Sequence, residues 1–102
     1  MPLTSERKKQ LRTLGHNLKP IVTIAAKGLT GNVRSEIERA LTDHELIKIK
    51  LAIEDRDLRK SLSGDIATQF SAEVTQTIGK ILLLYRPATK PNSKLSNLRR
   101  LK

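Results

Sequence analysis

The 102-residue sequence predicts an α/β sandwich built on a sheet of about four strands. Three observations predict it. Apolar residues alternate between helical and strand periods in the order α-β-α-β-α-β-β. Three of the changes of period fall at a Gly, a Pro or a capping residue: Gly15 to Pro20, Thr30 and Asp55. The length suits one domain with a single core of modest size.

"TSERKKQLRTLG" reads as a short helix capped at Thr4 or Ser5 and ending at Gly15, with Leu3, Leu11 and Leu14 on one side. "HNLKP" breaks the pattern, because the residue before Pro20 is pushed out of the α region. "IVTIA" is a β-branched run and a buried strand. Thr30 caps a second helix, in which Val33, Ile37, Ala40 and Leu41 form the apolar face. "ELIKIKLAI" alternates, with Ile47, Ile49 and Leu51 on one face and Lys48 and Lys50 on the other. Asp55 or Asp57 starts a third helix that buries Leu58, Leu62, Ile66 and Phe70. "EVTQTI" and "KILLLYR" are two strands joined tightly through Gly79-Lys80 as a hairpin. From Pro87 onward Pro, Asn, Ser, Lys and Arg dominate. The domain is therefore placed at 1–87, with 88–102 a basic, mobile tail. Leu95, Leu98 and Leu101, three apart, allow its last turn to become helical on contact with a partner.

The net charge of +10 is unevenly placed. Residues 1–20 hold five basic residues against Glu6, and residues 86–102 hold six with no acid. Residues 21–85 are balanced, nine against nine. Excess charge confined to both ends favours a polyanionic partner over mere solubility. No apolar segment is long enough to act as a signal or to span a bilayer, which leads us to expect a cytoplasmic protein with no membrane partner.

Catalysis finds no support. Cysteine is absent, which excludes thiol and Cys-zinc chemistry. His16 and His44 lack metal-ligand spacing and are expected to bond turns. The acids of "EDRD", Glu54 to Asp57, suit a helix start better than a magnesium site. Gly79-Lys80 lacks the remaining residues of a P-loop, and no serine lies in a nucleophile elbow. No cofactor, metal or small-molecule substrate is expected. With Phe70 and Tyr85 the only aromatics, both near the core, binding through stacked bases is disfavoured relative to phosphates, sugars and shape.

"AAKGLTGN" couples a strand end, a turn of small residues and a helix N-terminus, where unpaired N–H groups and the helix dipole favour an anion. Lys27 adds a cation at the tip. A lone G-x-x-G such as Gly28 to Gly31 is a weak signal, although KH domains clamp a nucleic-acid backbone with such a loop.

Three blocks in order, "LKPIVTIAAKGLT", "VRSEIERALTDHELIKIKL" and "IGKILLLYRP", closely resemble the CRM-domain family (chloroplast RNA splicing and ribosome maturation) and its bacterial single-domain, YhbY-like members. The likeness covers roughly residues 3 to 87. It implies a four-stranded mixed sheet with a KH-like G-x-x-G loop, and RNA binding through a basic surface. For the bacterial members it implies association with large-subunit (pre-50S) precursors. Carried over by residue, the family loop is Ala25-Ala26-Lys27-Gly28, so Gly31 falls inside the helix start. Ala25 replaces the motif's first glycine. Either the loop uses ordinary φ at Ala25, or its clamp is looser than in relatives.

The leading expectation is therefore a non-enzymatic protein binding ribosomal RNA through Lys8, Arg12 and Lys19, the loop residues Ala25, Ala26, Lys27 and Gly28, and Lys80 and Arg86. For the last two, packing or turn geometry is an equal alternative. Ribosomal proteins or assembly factors are possible further partners. Two other readings stay open: an adaptor docking an acidic protein through its basic ends, and a small-RNA or intron-binding factor. A metal-dependent phosphate-ester hydrolase using Glu54, Asp55 and Asp57 is the remote third class.

Overall fold

The computed structural model of the chain describes residues 4–90 and 94–100. Thr4 opens the first helix, its hydroxyl accepting the Arg7 N–H at 3.1 Å. That helix is α1 (Ser5–Gly15), and β1 (Pro20–Ile24) follows. Thr30 caps α2 (Gly31–His44) by accepting the Val33 N–H at 3.3 Å. After β2 (Leu46–Leu51), Asp55 caps α3 (Arg56–Gln69), accepting from the N–H groups of Asp57 at 2.9 Å and Leu58 at 3.2 Å. The hairpin strands are β3 (Glu73–Ile78) and β4 (Ile81–Tyr85), and a last helical turn, α4, covers Asn97–Arg100.

The sheet is mixed, in the order β1-β2-β4-β3. β1 and β2 run parallel, and the other two pairings are antiparallel. Gly79 takes φ +55 and Lys80 does not take a positive φ, which gives the type II′ turn that matches strand twist.

Alternation in β2 and β4 sorts the core onto two faces. Ile47, Ile49, Leu51, Leu82 and Leu84 meet Ile37, Leu41 and Ile66 of α2 and α3. Leu46, Leu83 and Tyr85 meet Leu11 on the opposite face, with Leu14 and Leu98 packed beside them. Beyond the two-layer sandwich, α1 and α4 thus form a partial third layer. Each fully buried leucine or isoleucine contributes about 2 kcal/mol, so this smaller cluster is enough to hold α1 down.

Four expectations need correction. β1 is an edge strand buried only at Val22 and Ile24, with Ile21 49 % exposed. Leu58 is 58 % exposed, because it lies in the first turn of α3, beyond the sheet, and Ser63 is buried on that helix instead. Lys48 does not simply face outward; its ammonium donates to the His16 carbonyl at 3.3 Å, capping the C-terminal end of α1. The stretch expected to be a free tail is docked in part, since Ser96 and Asn97 are buried and Leu98 joins the second cluster. Leu3 and Leu101 lie outside the described residues.

The two histidines bond turns as expected. His16 is the C-cap of α1, its backbone N–H donating to the Thr13 carbonyl at 3.4 Å, and His44 Nδ1 lies 2.8 Å from the Leu95 carbonyl oxygen. No helix among the described residues is long and apolar enough to cross a membrane. This topology gathers the C-terminal ends of β1 and β2, the β3–β4 turn and the N-termini of α2 and α3 at one end of the sheet.

Candidate nucleic-acid interface

β1 ends where the Ala52 N–H bonds the Ile24 carbonyl at 2.8 Å, and the chain then turns sharply. The Gly28 N–H bonds the Ala25 carbonyl at 2.9 Å, closing a four-residue turn. Neither Ala26 nor Lys27 has positive φ, so the turn is type I. Gly28 has φ +73, and no atom lies within 4 Å of where its Cβ would stand. The backbone there requires glycine for its dihedral, not for space.

Ala25 keeps an ordinary φ, the first of the two alternatives for this position. Its backbone conformation does not require glycine. Gly31 is the first residue of α2, so the tight turn after β1 is 25–28 and the second glycine of the more obvious pair belongs to the helix. Ala25, Ala26 and Lys27 are all exposed, and Arg34 reaches back to the Leu29 carbonyl at 3.4 Å.

Lys80 stands at the same end of the sheet, in the hairpin turn. Its ammonium meets Glu54 at 2.6 Å, with Glu54 93 % exposed. The hydrogen bond from Lys80, and then its charge, hold the Glu54 carboxyl below its ordinary range. Such a solvated pair contributes little to stability, and a phosphate can take the place of its acid. Asp55 caps α3 and Asp57 lies in its first turn, the helix-start role expected of the acids in "EDRD".

The other sequence-derived residues do not join this end. Lys8 and Arg12 lie half-buried on α1, over the opposite face of the sheet. Lys19 is exposed just before Pro20, at the far end of β1, roughly 13 Å or more from the loop at 3.3 Å per residue. Arg86 makes a bidentate pair with Glu38, at 2.9 Å to Oε1 and 2.7 Å to Oε2, and also donates to Phe70 O and Thr42 Oγ1. That is a packing role, and it leaves the guanidinium little capacity for a ligand.

Sequence reasoning missed Arg56, Arg59 and Lys60, which the N-terminal half of α3 brings to the loop end. Counting 21–85 as electrically neutral concealed that its charges segregate in space. A signal existed: Arg56 and Lys60, four apart after a helix cap, must share one helical face.

The fold and this end of it define a small α/β domain that collects backbone N–H groups and cations around one tight turn. The chain belongs to the CRS1/YhbY (CRM) domain family, whose model matches residues 3–86. It is 50 % identical over 100 residues to "Probable RNA-binding protein PA4753" of Pseudomonas aeruginosa, across 98 % of this chain and 96 % of the relative. It is 42 % identical to an RNA-binding protein of Haemophilus influenzae, across 91 % of this chain and 94 % of that one. The solution structure of the hypothetical protein SAV1595 from Staphylococcus aureus superposes with a TM-score of 0.77 at 31 % identity, covering 92 % of this chain and 97 % of that one.

Proposed function

We propose that this protein binds RNA without catalysing a reaction, that the 25–28 turn is its phosphate contact, and that the RNA is ribosomal RNA in large-subunit precursors. One observation carries the reading. An exposed type I turn with Lys27 at its tip and Gly28 at φ +73 opens directly onto the N-terminus of α2, and Lys80 stands at the same end of the sheet. Backbone donors, a helix dipole and cations there converge on a surface open to solvent, the arrangement that suits an oligoanion. The names of the relatives support RNA over other polyanions. The large subunit is the substrate class that the likeness to bacterial YhbY-like proteins implies.

The test is sedimentation of cell lysate containing the tagged protein, with and without RNase, beside the Lys27→Glu variant. The expected result is co-migration with large-subunit precursors, lost on RNase treatment and reduced in the variant. Co-migration that survives RNase overturns the reading in favour of a protein adaptor. Migration only with small RNAs removes the ribosomal assignment and keeps RNA binding.

A further inference from the structure

An open groove of about 900 Å³ runs between α3 and the β3–β4 hairpin at the loop end. Arg56, Lys60, Ser63 and Gly64 line one wall, at the i, i+4, i+7 and i+8 positions of a single helical face. Thr77 and Gly79 of the hairpin line the other wall, and Leu51, Val74 and Ile81 add apolar lining. Resting on the RNA-binding reading above, we infer that this groove is a nucleotide site for single-stranded RNA, separate from the phosphate-binding turn.

The two chemistries of a nucleotide are both present. Val74 and Ile81, both partly exposed, offer apolar surface to an unstacked base, and an arginine guanidinium plane stacks on it in place of the aromatic side chain that this surface lacks. Arg56 and Lys60 supply charge for the adjoining phosphate. Neither has a hydrogen-bond or ion-pair partner among the described residues, whereas Arg59 is spent on the Ile53 and Glu54 carbonyls at 2.6 and 2.8 Å. Asp57 is the one acid lining the groove, so the balance of charge there is positive.

Position supports the same occupant. The turn follows β1, and the groove lies over β4 and β3, two to three strand spacings away, or roughly 10–14 Å. A strand held by its phosphates at the turn reaches the groove within a few nucleotides. Duplex RNA keeps its bases stacked and cannot fill it.

Gly64 provides a test that separates the groove from folding. It lies in the middle of α3 with open space where a Cβ would stand, so Gly64→Leu fills the groove while improving helix propensity. The experiment measures the affinity of wild type, Gly64→Leu and Arg56→Gln/Lys60→Gln for a short mixed-sequence single-stranded RNA and for a blunt RNA duplex. Thermal melts accompany each variant. The expected result is about tenfold weaker binding of the single strand to Gly64→Leu, at equal or higher melting temperature, with duplex affinity unchanged. The double variant loses single-strand affinity to a similar degree.

Equal single-strand affinity of wild type and Gly64→Leu overturns the groove and leaves RNA binding by the turn intact. Equal losses for single strand and duplex also overturn it, because they report a general electrostatic surface. No RNA binding by wild type removes the underlying functional reading together with the groove.

Discussion

The carboxylate of Glu45 accepts the hydroxyl of Ser96 at 2.9 Å across 51 residues of chain, and both side chains are buried. Glu45 sits at φ +63 where α2 ends, and its other carboxylate oxygen accepts the Ala88 N–H at 3.0 Å. Asn97 continues the contact by donating to the Leu46 carbonyl at 2.6 Å. A buried acid is costly unless its oxygens are bonded, so the C-terminal segment completes a site that the α2–β2 junction would otherwise leave unsatisfied.

Ser96→Ala is therefore expected to destabilise the whole domain by about 1–3 kcal/mol, the range for a buried acceptor that loses its donor. Urea unfolding measures this, with an unchanged m-value marking a pure stability effect. The same docking makes truncation at residue 90 a poor test of the tail's charge, since it also removes Leu98 from the second cluster. Replacing Arg99, Arg100 and Lys102 with Gln is the cleaner experiment. Measured where both proteins are folded, it should flatten the log–log salt dependence of single-strand RNA binding by about 2. An unchanged slope would exclude these residues from the interface.

The two glycines of "GLTG" should respond oppositely to alanine. Gly28→Ala forces a side chain into φ +73 and is expected to cost about 1 kcal/mol, with weaker RNA binding as the turn distorts. Gly31→Ala falls at an ordinary helical position with open space and should stabilise by about 0.5–1 kcal/mol, with RNA affinity retained. Loss of RNA binding in Gly31→Ala alone would return the motif to its apparent register.

Most of the fold was legible because local chemistry and global packing agree. Thr30 and Asp55 cap where their hydrogen-bonding capacity suggested, and the alternation of Ile47, Ile49 and Leu51 faces the main core. Leu58 misled because helical period alone does not say where a helix overhangs its sheet. Ser96 and Asn97 misled because polar composition reads as disorder unless the buried partner, Glu45, is known. The site was legible only as a turn. Arg86 belongs to a pair whose members are 48 residues apart, and the charges around Arg56 become a patch only when α3 docks beside the hairpin.

Arg86 should prove structural, and pH should reveal its partner. The hydrogen bond from Arg86, reinforced by its charge and by Thr42, holds the Glu38 carboxyl below its ordinary value of 4.5, while burial works the other way. A depressed carboxyl stabilises the fold above that ordinary value, and the stabilisation is lost as pH falls through the lower native value. Wild type should exceed Glu38→Gln in melting temperature near neutral pH, and the two should converge in acid. Glu38 is 56 % exposed, which limits the effect to about 1 kcal/mol. RNA affinity per folded molecule should not change. A selective loss of RNA affinity in Arg86→Gln would put that residue back in the interface.

Thr75 offers the opposite case, a side chain whose removal should help. It lies in β3 beside the register shift between Val74 and Gln76, is 5 % exposed, and its hydroxyl has no partner among the described residues. An unpaired buried hydroxyl carries its desolvation cost with no bond to offset it. Valine has nearly the same shape and a strong preference for strands, so Thr75→Val should raise stability by about 1 kcal/mol. The urea midpoint should move up at constant m-value. A lower midpoint would mean that the hydroxyl is bonded in solution, by water or by a carbonyl freed at the bulge, and that Thr75 is part of what shapes the bulge.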